Sequence, residues 1–71
     1  MSLIVRLLDV VALTADVPDK SLSRGQVGTV VDILGPGHYE VEFCDDAGRT
    51  YAQAALSEDQ LLVLRYTPQP A

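Results

Sequence analysis

Between Arg24 and Ala54 the chain has room for three short strands and almost nothing else. Val27 to Leu34 is rich in β-branched residues, and Gly35-Pro36-Gly37 turns it. Tyr39 to Phe43 alternates apolar with acidic side chains, Asp45-Asp46-Ala47-Gly48 turns the chain again, and Arg49 to Ala54 returns. Two hairpins in succession, with one more strand expected on each side, predict a small all-β barrel.

The first strand is expected over Leu7 to Leu13. A polar loop from Thr14 to Gly25 follows, made irregular by Pro18, with Leu22 as its apolar anchor. Gly28, inside the second strand, is read as a bulge or sharp bend. Pairing Ile33 with Val41 and Val31 with Phe43 places these four on the core face and sends Asp32, Glu40 and Glu42 to water. That register leaves a three-residue loop, Pro36 to His38, with Gly37 at positive φ. In the second hairpin, one turn length buries Thr50 and Ala52 against Phe43 and Val41, and another buries Tyr51. The first is preferred. Ser57-Glu58-Asp59-Gln60 has the spacing of a capping box, so one helical turn should lead into a last strand, Leu61 to Leu64. Residues 1–65 are expected to form a single domain, with 66–71 as an extended, mobile tail.

The 71 residues contain one cysteine and one histidine, so neither an internal disulfide nor a Cys/His zinc site is available. A chain this small buries only about 60% of its unfolded surface. Stability must then come from a dense apolar core or from association, and 48% hydrophobic residues suit either. The free Cys44 suggests a reducing compartment. Asp9 interrupts the apolar opening too early for a signal peptide, and no run reaches the ~18 apolar residues of a membrane span. A cytoplasmic protein is expected. The net charge of −5 disfavours nucleic acid, whose binding rests on clustered lysine and arginine.

Five short strands, one long first loop and a helical turn before the last strand describe an SH3-like barrel. Arg24-Gly25-Gln26-Val27-Gly28-Thr29-Val30-Val31 also resembles the glycine-centred segment of KOW motifs. A wider resemblance runs through Leu8-Asp9-Val10-Val11-Ala12-Leu13, Arg24-Gly25-x-Val27-Gly28-Thr29-Val30-Val31, Gly35-Pro36-Gly37-x-Tyr39-Glu40-Val41-Glu42-Phe43, Gly48-Arg49-Thr50-Tyr51-Ala52 and Leu61-x-Val63-Leu64. In order and spacing these resemble the small bacterial family known as domain of unknown function 4926. That resemblance implies no activity and no catalytic residues. Gly25-x-Val27-Gly28-Thr29-Val30 and the closing Leu-x-Val are similar to SH3-like electron-transport accessory chains as well. Those chains help an acidic ferredoxin dock, which this chain's negative charge would oppose.

Catalytic chemistry finds little to work with. His38 is expected as an exposed turn residue. Cys44 is expected as a half-buried structural thiol, since Asp45 and Asp46 follow it where an activated thiolate calls for positive charge. Asp32, Glu40 and Glu42 read as a solvated strand face rather than a cation site, which usually takes six to eight oxygens from a dedicated loop. No cofactor is expected. Without tryptophan, and with four aromatics shared between core and surface, a proline-binding groove is weakly supported.

One pattern exceeds the demands of a core. Leu7 to Leu13 and Leu61 to Leu64 are apolar on both faces, and in an SH3-like barrel these terminal strands are neighbours. Leu8, Val10, Ala12, Leu62 and Leu64 are therefore expected to form an outward apolar patch, a protein interface. The opposing reading has Met1 to Val5 and the tail folding over it. The expected function is a non-catalytic interaction module. It would self-associate as a homodimer or serve as an accessory or neutralising partner of another cytoplasmic protein, one basic in charge, for which the product of an adjacent gene would fit. The alternatives are KOW-like nucleic-acid binding through Lys20, Arg24 and Arg49, or an electron-transport accessory subunit.

Overall fold

The computed structural model describes residues 5–71. Five antiparallel strands, β1 (Val10–Leu13), β2 (Val27–Gly35), β3 (His38–Cys44), β4 (Thr50–Ser57) and β5 (Leu61–Val63), form one sheet in the order β4-β3-β2-β1-β5. The terminal strands lie side by side, with Val11 opposite Val63 and Ala12 opposite Leu62. The fold is all-β, and its terminal strands are neighbours, as expected of an SH3-like barrel. Among the described residues no ladder joins β4 to β5, so the sheet stays open, with these two strands at its edges.

Between β1 and β2 the chain makes a 3₁₀ turn at Pro18–Lys20, and Val17 bridges Leu22, which is buried as the loop's anchor. A second 3₁₀ turn, Glu58–Gln60, feeds β5. The capping box is formed there: the Ser57 backbone N–H donates to Gln60 Oε1 at 2.9 Å, and the Ser57 side chain takes part in the reciprocal bond to the first turn.

The core is apolar throughout. Val11, Val30, Val41 and Phe43 are fully enclosed, joined by Leu13, Leu22, Ala54, Leu56, Leu61 and others, and no buried polar or charged residue occurs among the described residues. Val5 also packs into this core, so it faces inward instead of covering the outside of β1. Residues 1–4, which with Val5 were candidates for that cover, lie outside the described residues.

The first hairpin departs from the expected register. Val30, not Val31, stands opposite Val41, and Asp32 stands opposite Glu40, with a bulge between the two pairs. In a regular ladder without the bulge, Asp32 would share the core face with Val30. The bulge reverses the parity and lets Val30 point in while Asp32 points out. Ile33, expected in the core, is 52% exposed. Opposite it is Tyr39, which is buried. A second irregularity falls between Ile33 and Gly35, and the loop shortens to Pro36-Gly37, with Gly37 at φ +71°. Proline followed by a glycine at positive φ matches a type II turn, whose twist suits a hairpin poorly. The adjacent irregularity absorbs that mismatch.

Other expectations are corrected in the same way. No bulge occurs at Gly28, which pairs with Val11 in a regular ladder. β1 begins at Val10, because Arg6 to Asp9 form a turn held by the Asp9 carboxylate on the Arg6 N–H at 2.8 Å. In the second hairpin Ala52 faces Phe43 and Ala54 faces Val41, while Thr50 and Tyr51 are exposed. The preferred face of Ala52 stands, but its pairing moves by two residues. Cys44 is exposed, since strand parity turns it away from buried Phe43.

Candidate interaction face

Residues directly opposite one another in a ladder share a face. On the outer side of β1, Ala12 sits between Val27 of β2 and Leu62 of β5. One step along, Val10 faces Thr29, and the Val10 carbonyl accepts the Leu64 N–H at 2.9 Å. Val11 and Leu13 take the inner side, where both are buried. The alternation therefore places Val10, Ala12 and Leu62 outward, with Leu64 next to them and half-buried. Leu62 is 49% and Val27 46% exposed.

Leu8 does not extend this ladder. It lies in the turn before β1, at φ +71°, with its N–H donated to the Val30 carbonyl at 2.7 Å and its side chain exposed. Val27 was missed in the sequence, although it alternates with Thr29 along β2. Which face of β2 met solvent depended on the bulge. A shallow cleft of about 340 Å³ opens beside Leu62, floored by Ala12 and Leu13 and bordered by Thr14, Arg24 and Gly25. The loop there is fixed by the Arg24 N–H, which donates to Asp16 Oδ1 at 2.8 Å.

The other half of the same sheet face has opposite character. Glu42 lies between Thr29 and Gln53, and Glu40 lies between Asp32 and Ala55. Glu42 Oε2 accepts the Thr50 hydroxyl at 2.9 Å. The outward surface is thus divided into an apolar side at β1 and β5 and an acidic side at β3 and the end of β2.

The remaining chemistry-bearing residues stay apart. His38 is an exposed turn residue whose Nδ1 hydrogen-bonds the Pro36 carbonyl at 3.0 Å. Cys44 Sγ lies 3.7 Å from the Thr50 hydroxyl. Asp45 Oδ1 closes the second turn by accepting the N–H groups of Ala47 at 2.9 Å and Arg49 at 3.0 Å, and Oδ2 pairs with Arg49 Nε at 3.3 Å. Among the described residues no three His, Cys, Asp or Glu side chains are grouped to hold a metal, and no helix is long and apolar enough to cross a membrane.

No curated protein and no solved structure matches the chain. Residues 7–63 match a family, and that span runs from the turn before β1 to the end of β5. The chain belongs to the family described as a domain of unknown function (DUF4926).

Proposed function

We propose that this domain is a non-catalytic protein-interaction module of the cytoplasm that self-associates through the outer face of β1 and β5. The observation that carries the reading is the row Val27–Ala12–Leu62, continued by Val10 and Leu64, on the outside of an otherwise well-packed sheet. Apolar side chains in a contiguous row mark an interface more often than scattered ones do. Two copies meeting here would remove several hundred Å² from water, worth several kcal/mol at about 25 cal/mol per Å² before association costs. A two-fold homodimer is the simplest closed form. For a chain with no disulfide, that association adds directly to stability.

Nucleic-acid binding receives no comparable support. Arg49 is paired with Asp45, Lys20 and Arg24 lie in the long loop, and the outward carboxylates of Glu40 and Glu42 would repel phosphate.

Sedimentation equilibrium tests the proposal. The unmutated chain should be a dimer at micromolar concentration, and Leu62→Glu should yield a folded monomer. A stable monomer before mutation would remove self-association through this face.

A further inference from the structure

The two edges of the sheet are protected very differently. β5 is three residues long and is followed by Leu64 and Arg65, with Pro68 and Pro70 beyond them. β4 runs for eight residues, Thr50–Ser57, with no charge, no proline and no glycine. Thr50 to Ser57 is also the longest uncharged run in the chain. Edge strands are normally blunted by shortness, by charge (lysine above all), by proline or by a bulge. β4 has only a bulge, at its start, between the Phe43 and Cys44 pairs. Beyond its ladder to β3, no backbone hydrogen bond from Tyr51 to Ser57 to another backbone group occurs among the described residues.

The side chains beside this edge specify what would pair with it. On the outer face β4 presents Gln53 and Ala55, both exposed and uncharged, and directly behind them on β3 stand Glu42 and Glu40. Glu40 in turn faces Asp32, a like-charged cross-strand pair that is unfavourable by itself. The one ion pair among the described residues, Arg49 with Asp45, lies in the turn and leaves these acids without a cation. A strand added at β4 would carry its outward side chains over Gln53 and Ala55. Long basic side chains at alternate positions would reach the carboxylates across those uncharged residues.

We infer that the β4 edge binds an extended segment of a partner protein by strand addition, and that the segment carries lysine or arginine at alternate positions on its outward face. Backbone hydrogen bonds supply the affinity, and Glu40, Glu42 and Asp32 select the charge. A second copy of this chain is the poorer occupant, because its own β4 brings no cation to these acids. The inference rests on reading the domain as an interaction module, but it uses a surface separate from the β1–β5 face.

The test titrates the full chain with labelled eight-residue peptides. One alternates lysine with valine, a second alternates glutamate with valine, and a third is the lysine peptide with its backbone amides N-methylated. The lysine peptide should bind, the glutamate peptide should not, and N-methylation should weaken binding at least ~tenfold by removing the donors. Ala55→Lys, at an exposed position, should keep the fold by circular dichroism and lower affinity about tenfold, as should Glu40→Gln. Leu62→Glu should leave peptide affinity unchanged. Failure of the lysine peptide to bind would overturn the inference, as would equal binding of its N-methylated form or indifference to Ala55→Lys. Peptide binding by a chain that sediments as a monomer would support the edge while removing the dimer, so the two proposals fail separately.

Discussion

A Cβ on Gly28 would stand 2.7 Å from Val41 Cγ1, 2.9 Å from the Glu42 carbonyl oxygen and 3.0 Å from Phe43 Cδ2. The glycine is there because the side chains of Val41 and Phe43 on β3 lie over the backbone of β2 in the core. Gly28→Ala should therefore destabilise by about 2 kcal/mol, the ordinary cost of overpacking where the neighbour cannot move away. The Glu42 carbonyl belongs to a ladder and is such a neighbour. In a domain this small that corresponds to a fall in Tm of roughly 10 °C, measurable by thermal melting followed by circular dichroism. An unchanged Tm would mean that Val41 and Phe43 do not close over Gly28.

The bulge at Val31 makes a prediction that separates neighbouring residues. Val30 is fully buried and Ile33 is half exposed. Val30→Ala should cost about 2 kcal/mol through lost burial and the cavity left behind, and Ile33→Ala should stay within ~0.5 kcal/mol. Urea titration of the two variants decides between this register and the unbulged one, which would reverse the order.

Self-association through the outer face of β1 and β5 would make stability depend on concentration. Tm should rise as the unmutated protein is concentrated from micromolar to hundreds of micromolar, because association stabilises only the folded chain. Val27→Glu, on the same face, should abolish that dependence while leaving the melting of the dilute protein close to its original value. Concentration-independent melting of the parent chain would count against the dimer.

Leu8 occupies a left-handed conformation at φ +71° with little side-chain burial to offset it. For a residue with a Cβ this costs about 1 kcal/mol. Leu8→Gly should raise Tm by a few degrees in dilute solution. Loss of stability would show that the Leu8 side chain makes a contact stronger than the strain.

Cys44 is exposed. In native protein it should react fully with a chromogenic disulfide reagent, at a rate close to that in denaturant. A thiol protected until unfolding would contradict its outward position.

Much of the architecture could be read from the chain because its signals are local. Pro36-Gly37 and Asp45 to Gly48 turn the backbone through their own chemistry. Ser57 and Gln60 cap a turn by their spacing, and the alternation from Tyr39 to Phe43 assigns inner and outer faces within one strand. The outward placement of Val10, Ala12 and Leu62 followed from two apolar strands being neighbours. What the tertiary structure decided was parity between strands. A single bulge at Val31 exchanged Val31 for Val30 in the core, kept Asp32 in water and brought Val27 onto the apolar face. Asp9 delayed the start of β1 and left Leu8 in a turn, and Gly28 proved to be a point of close approach instead of a bend. Local chemistry determines where a strand begins and turns. Which of its faces is buried depends on how it pairs with a strand distant in sequence, and here the bulge at Val31 sets that pairing so that Asp32 stays in water.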